Sequence, residues 1–309
     1  MDKKKPAVAV LIPVYRPDQR FSRLLQMLGR QTWPVTQIVI MNTEQSLWDE
    51  KSYEGIVGLE VHHVKKQEFD HGGTRHEGMK YVGAEICICM TQDAVPADEY
   101  LVEHLVTALK PERVAAAYAR QLPQKDCRLI ERYTRSFNYP AQSTVKTRDD
   151  LPRLGIKTYF CSNVCAAYRM DYYRKTSGFI KKTIFNEDMI YAAGVIKAGS
   201  GIAYAAKARV YHSHNYSAVQ QLKRNFDLAV SQAEHPEVFA GLKAEGEGIQ
   251  LVKQTARYLA AQNKWYLLPG LVVISSCKYL GFLLGRHYNR LPRPLIQRLT
   301  MNPGYWEKT

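Results

Sequence analysis

The segment Ile86-Cys87-Ile88-Cys89-Met90-Thr91-Gln92-Asp93-Ala94-Val95-Pro96 decides the fold class. Its first five residues are all apolar, as in a strand buried on both faces, and such strands belong to parallel sheets covered by helices. The run ends in Thr91-Gln92-Asp93, so a carboxylate leaves the end of a hydrophobic strand. That is costly unless solvent, a metal ion or a hydrogen-bond network meets it. Asp93 suits equally a plain cap on a helix starting near Pro96.

Similar runs flank it. Buried strands are expected over Val8–Tyr15, Gln37–Met41 and Leu59–Val64, and further strands over Val114–Ala119 and Ile202–Tyr211. Helical spacing appears over Phe21–Leu28, Gly73–Val82, Pro96–Leu109, Cys127–Phe137 and Glu187–Lys197. Strand and helix alternating through short links predict an α/β fold, a mostly parallel sheet with helices on both faces. Ligands bind such sheets at the carboxyl ends of the strands. Chemistry is therefore expected at residues 13–16, 42–44, 65–75 and 91–94. Asn138–Gly155, polar and interrupted by Pro140 and Pro152, reads as a long flexible loop, and Tyr159–Tyr168 is apolar again. From Ala218 helical spacing dominates. The expected division is a catalytic domain over residues 1–215 and a helical, basic extension over 216–309.

The net charge of +14 suits nucleic acid, an anionic membrane surface or a phosphorylated substrate. No zinc-finger, helix-turn-helix or basic–aromatic pattern supports nucleic acid. From residue 251 onward nine basic residues face one acidic residue, Glu307, a net +8 in the last fifth of the chain. The same stretch holds the longest apolar run, Trp265–Gly285, interrupted by Pro269, Ser275, Ser276 and Lys278. It reads as helices lying on a membrane surface or against another subunit rather than as a transmembrane helix. The N-terminal apolar run is short and ends at Pro13, so no secretory signal is expected. Six cysteines in a chain of 309 residues make no disulfide framework and read as reduced thiols of a cytosolic protein.

Three other constellations stand out. Asn186-Glu187-Asp188 opens a helix: adjacent acids partner the helix dipole, or place one carboxylate in a cleft as a general base. In Tyr211-His212-Ser213-His214, alternate residues on a strand share a face, so His212 and His214 form a possible metal-ligand pair or a surface feature. In Phe69-Asp70-His71-Gly72-Gly73-Thr74-Arg75, two glycines before a helix let backbone approach a phosphate and Arg75 adds charge, or they form a plain turn.

In order along the chain, Ile12-Pro13-Val14-Tyr15, Gln31-Thr32, the aspartate before Pro96, Asn186-Glu187-Asp188 and a late histidine resemble the family 2 glycosyltransferases of GT-A fold, over roughly residues 7–216. The 69–75 and 91–96 stretches, with Leu280–Arg286 and Leu291-Pro292, resemble the bacterial rhamnosyltransferases within that family. The resemblance implies a nucleotide-diphospho-sugar transferase. Asp188 would be its catalytic base with Glu187 beside it. Asp93 matches the last aspartate of the Asp-x-Asp motif and would meet Mg²⁺ or Mn²⁺ on the donor diphosphate, with His212 or His214 approaching the ion. Thr91 stands at the motif's first position. Pro13, Tyr15, Arg16, Asn42, Glu44, His71, Gly72, Arg75, Gln92, Asp93 and Asn163 are implied as the nucleotide-sugar surface.

The same resemblance implies an inverting transfer of L-rhamnose from dTDP-L-rhamnose to a hydroxyl of a glycan or lipid-diphosphate-linked acceptor. A UDP-hexose donor and a non-catalytic scaffold of the same fold are the alternatives. A cytoplasmic enzyme, peripheral at the inner face of the membrane and self-associating through its C-terminal helices, is the implied setting.

Overall fold

The computed structural model describes residues 5–242 and 245–307. The order of elements is β1 (Val8–Val14), α1 (Gln19–Leu28), β2 (Val35–Thr43), β3 (Leu59–Val64), α2 (His71–Met79), β4 (Ile86–Met90), β5 (Val95–Pro96), α3 (Leu101–Ala108) and β6 (Val114–Leu122). Then come α4 (Leu129–Asn138), β7 (Thr144–Lys146), α5 (Leu151–Leu154), β8 (Cys165–Arg169), α6 (Met170–Lys175), α7 (Glu187–Lys197) and β9 (Gly201–Tyr211). The remainder is helical: α8 (Ala218–Glu234), α9 (Pro236–Phe239), α10 (Glu245–Ala261), α11 (Leu268–Arg286), α12 (Arg293–Leu299) and α13 (Pro303–Glu307). The chain forms two compact units. One comprises residues 1–122, 139–182 and 187–212, the other 123–138, 183–186 and 213–309.

The first unit is built on a nine-stranded sheet in the order β3-β2-β1-β4-β8-β6-β9-β5, with β7 also paired to β9. β1 runs parallel to β2 and β4, β2 to β3, and β6 to β9. β8 is reversed between β4 and β6. Its reversal sets Met90 opposite Cys165, so the carboxyl end of β4 meets the amino end of β8. Residues from Val8 to Ile12 are fully buried, as helix cover on both faces requires. Helix α1 buries Phe21, Leu24, Leu25 and Leu28, a stripe at helical spacing, each contributing roughly 1.5–3 kcal/mol. Asp18 caps that helix, its carboxylate accepting from the Arg20 and Phe21 amides.

Two stretches differ from their sequence-based reading. The helix expected from Pro96 begins at Leu101, because Val95-Pro96 pairs with the end of β9 and the Asp98 carboxylate takes the Tyr100 amide and Arg209. The expected loop over 138–155 contains β7 and α5. Three strand residues are too few to show a period. The strand is anchored by Lys146, whose buried ammonium donates to the Lys157 and Phe160 carbonyls and lies 4.8 Å from the Tyr118 ring centre. Burial pulls that amine down to about 7.

In the second unit α8 and α11 lie along one another. Ser217 and Gln220 cap α8 reciprocally. A Cβ at Gly281 would collide with the Leu222 carbonyl and one at Gly285 with that of Phe226, so these glycines allow backbone-to-backbone approach. The buried Asp227 carboxylate accepts from the Thr300 hydroxyl at 2.6 Å and the Met301 amide at 2.9 Å, and Ile184, Phe226, Val230, Ile296 and Trp306 pack into one cluster. The six cysteines are free thiols, five of them buried.

Gly281→Ala tests the helix contact. Alanine is the better helix former by ~1 kcal/mol, but overpacking costs ~1–3 kcal/mol. The expected outcome is a net loss of stability, read as a lower urea midpoint.

Candidate active site

The site gathers where the strand topology directs it. The Thr91 amide donates to the Val164 carbonyl at 3.2 Å, joining the end of β4 to the start of β8. The Tyr15 amide donates to Gln92 Oε1 at 2.7 Å, and Gln92 Nε2 donates back to the Tyr15 carbonyl at 3.0 Å. Gln92, implied on the nucleotide-sugar surface, clasps the ends of β1 and β4. Pro13 lies in the ladder opposite Met41. The exposed Tyr15 ring carries the Arg16 guanidinium at 5.3 Å and the Lys66 ammonium at 5.9 Å, which makes this rim electropositive. At the end of β2 the buried Asn42 amide donates to the Glu44 carbonyl and to His63 Nδ1, both at 3.0 Å. Its Oδ1 has no partner among the described residues. Glu44 accepts from the Lys66 amide.

Glu187 and Asp188 open α7 and face different surroundings. Glu187 is buried and lies 3.1 Å from Arg75 Nη1, a guanidinium equally buried. Asn163 joins both acids: its side-chain amide donates to Glu187 Oε1 at 3.1 Å, and its backbone amide to Asp188 Oδ2 at 2.9 Å. The Tyr168 hydroxyl donates to Asn163 Oδ1 at 2.7 Å and fixes that amide's orientation. Burial pushes the Glu187 carboxyl upward, but Arg75, His71 and the Asn163 amide more than reverse this, so it sits below its ordinary value. Asp188 moves the other way. Burial and then the neighbouring Glu187 charge raise it to about 7, against the pull of the Asn163 and Met189 amides. Two adjacent acids driven apart in this way divide into a fixed anion and a group able to exchange a proton near neutrality.

Asp93, half-buried, stands three residues beyond β4, and His212 one residue beyond β9. Asp93 Oδ2 lies 3.6 Å from His212 Nε2. His212 Nδ1 donates to Gln121 Oε1 at 3.0 Å, and the Gln121 amide donates to the Ser162 hydroxyl. The other ring nitrogen, Nε2, is turned toward Asp93. A carboxylate and an imidazole fit a divalent cation. So does the buried Thr91 hydroxyl between strand end and Asp93, which has no partner among the described residues. His214 follows in the second unit, where its ring stacks on Tyr216.

Of the two readings of the glycine pair, a phosphate approach or a plain turn, the geometry gives the pair a packing role. Gly72 and Gly73 lie in the first turn of α2, and both amides donate to the Asp70 carboxylate at 2.8 Å. A Cβ at Gly72 would collide with the Ile180 carbonyl, and one at Gly73 would stand 2.5 Å from that of Lys181. The glycines admit a neighbouring backbone. Arg75, implied on the nucleotide-sugar surface, is the counter-charge of Glu187 and donates to the His71 carbonyl. Asn163 likewise is the buried link between the acids. Gln121 and Tyr168 escaped the sequence reading, because a lone polar residue within an apolar strand carries no motif.

A mixed sheet of this kind, covered by helices and with acids and a histidine at its carboxyl edge, has the architecture of a GT-A glycosyltransferase. The chain belongs to glycosyl transferase family 2, whose sequence model matches residues 9–177. It is 34% identical over 303 residues to the O-antigen chain rhamnosyltransferase RfbN of Salmonella typhimurium, covering 97% of this chain and 96% of that one. It is 33% identical over 306 residues to the O-antigen chain rhamnosyltransferase WbaN of Salmonella anatum, with the same coverage. Among solved structures, the mannosyltransferase PcManGT from Pyrobaculum calidifontis, in complex with GDP-Man and Mn²⁺, aligns with a TM-score of 0.57 and 12% identity over 98% of this chain and 87% of that one. S. aureus TarS 1-349 aligns with a TM-score of 0.52 and 14% identity over 92% and 91%. These two likenesses concern the fold.

Arg75→Met would leave Glu187 buried without its counter-charge. The expected loss is ~3–5 kcal/mol, measured by urea unfolding, with Arg75→Lys recovering part of it.

Proposed function

We propose that this chain is an inverting, metal-dependent rhamnosyltransferase. It moves L-rhamnose from dTDP-L-rhamnose to a hydroxyl of a bacterial cell-surface polysaccharide or its lipid-linked precursor. The observation that carries the chemistry is the split between Glu187 and Asp188 at the sheet edge that also bears Asp93. The full-length similarity to two O-antigen chain rhamnosyltransferases supports the sugar.

In this reading Asp188 takes the proton of the acceptor hydroxyl as its oxygen bonds to the anomeric carbon from the face opposite the diphosphate. The anomeric carbon–oxygen bond breaks, and the nucleoside diphosphate leaves with the electron pair. Asn163 holds the Asp188 carboxylate still, and Glu187, kept ionised by Arg75, keeps the Asp188 proton affinity high enough for the task. Asp93 and His212 would hold Mg²⁺ or Mn²⁺. Such an ion offsets the charge developing on a diphosphate leaving group. Tyr15, with Arg16 and Lys66 beside it, would face the nucleotide.

A screen of dTDP-rhamnose, UDP-hexoses and GDP-mannose with Mg²⁺ or Mn²⁺ tests the donor. Preferential turnover of a UDP-hexose overturns the rhamnosyl assignment. Asp188→Asn should retain nucleotide binding and lose ~10²–10⁴ in turnover. Because Asp188 acts deprotonated, turnover of the wild type should rise with pH through about 7. Glu187→Gln removes a neighbouring negative charge and should move that limb to lower pH. For the cation site, Asp93→Ala and His212→Ala should each weaken nucleotide binding in Mn²⁺ and leave the metal-free affinity nearly unchanged, as calorimetry would show.

A further inference from the structure

Helix α11 has two faces of opposite character. Leu271, Gly281 and Gly285 face inward, and the two glycines bring its backbone against Leu222 and Phe226 of α8. Lys278 shares this side: burial lowers its ammonium, and the Glu131 carboxylate of α4 opposes that. Outward stand Val272, Val273, Tyr279, Leu280 and Leu283, spaced as one helical stripe and exposed, Val272 to 61% and Tyr279 to 70%. Trp265 and Tyr266 are exposed just before the helix. Lys264 precedes it, and Arg286, Arg290, Arg293 and Arg298 end or follow it, all exposed.

The stretch Trp265–Arg286, 22 residues, is long and apolar enough to cross a membrane by length and composition. Its partner helix is not. α8 carries Gln220, Gln221, Lys223, Arg224, Asn225 and Asp227, and such a helix does not enter hydrocarbon. Bound along α8 through Gly281 and Gly285, α11 can offer lipid its outer stripe alone. A second copy of the chain is a poorer occupant, because each tail carries a net +8 and two would repel.

We infer that the outer face of α11 docks flat on an anionic lipid leaflet, with Val272, Val273, Tyr279, Leu280 and Leu283 at the acyl boundary. The aromatic pair Trp265 and Tyr266 and the cations Lys264, Arg286 and Arg290 sit at headgroup level. That a lipid-linked acceptor is met there rests on the function proposed above. The docking surface itself does not.

The test is sedimentation of the full-length protein with vesicles of phosphatidylcholine alone and of phosphatidylcholine mixed with phosphatidylglycerol. Binding to the mixed vesicles, weakened by salt, is expected. Joint substitution Val272→Glu, Tyr279→Glu and Leu283→Glu should weaken it at least ~10-fold, with unchanged turnover of a soluble acceptor. Should that variant fold poorly, Lys264→Glu, Arg286→Glu and Arg290→Glu together must abolish the preference for anionic vesicles. The proposal is overturned if the wild type ignores anionic vesicles or if the folded variants bind them normally. It is overturned equally if light scattering shows a dimer that the apolar-face variant converts to monomer. Vesicle binding is read without donor or acceptor, so its failure leaves the transferase assignment standing, and the reverse also holds.

Discussion

Two neighbouring carboxylates cannot both be buried and ionised without help, and the first unit is organised around that constraint. Arg75 supplies one counter-charge, and it faces Glu187. Among the described residues Asp188 accepts from backbone amides, those of Asn163 and Met189, which orient it without neutralising it. Electrostatics thus separates two residues of almost identical chemistry into a permanent anion and a titrating group. The division requires Arg75 to be buried, which in turn requires α2 to lie close to the 180–181 backbone, and Gly72 and Gly73 are what permit that approach.

The reversed strand β8 is the second requirement. In a wholly parallel sheet the amino end of the strand beside β4 would lie at the opposite edge from Asp93. Running backward, β8 delivers Asn163 and Val164 to the edge where β4 ends, and Asn163 holds the head of α7 there. β9, parallel to β6, brings His212 to the same edge, and Gln121 at the end of β6 turns its ring. Residues far apart in sequence thereby share one sheet edge by strand direction alone.

Much of this was legible in the residues. β1, β4 and most of β6 appear as unbroken apolar runs, and β3, β4 and α7 match their expected bounds to the residue, although β3, at the sheet edge, is half-buried rather than buried. Asp93, Glu187, Asp188 and His212 stood out because charged or titratable groups at the ends of apolar segments are conspicuous. Arg75, Gln92, Asn163 and Gly72, which the family resemblance implies on the nucleotide-sugar surface, also meet partners within the protein, and a polar residue near a strand end can satisfy either a ligand or the protein. Local sequence carries no record of which partner arrives, and here the partners were Glu187, Tyr15, the acid pair and the 180–181 backbone. β7 was missed for a different reason, since a three-residue strand held by one buried lysine has no periodicity to detect.

The order of apolar segments and the acids that end them determined the α/β layering and the sheet edge where a ligand is expected, because burial periodicity and strand-end charge are local properties, while the family was legible only through the resemblance of its motifs. Tertiary structure alone decided that β8 runs backward, that Arg75 pairs with Glu187 and leaves Asp188 to titrate, and that α11 turns its glycines to α8 and its aliphatic stripe to solvent. Each of these depends on distance and burial between residues remote in the chain, and Coulomb and desolvation energies are set by that separation rather than by neighbours in sequence.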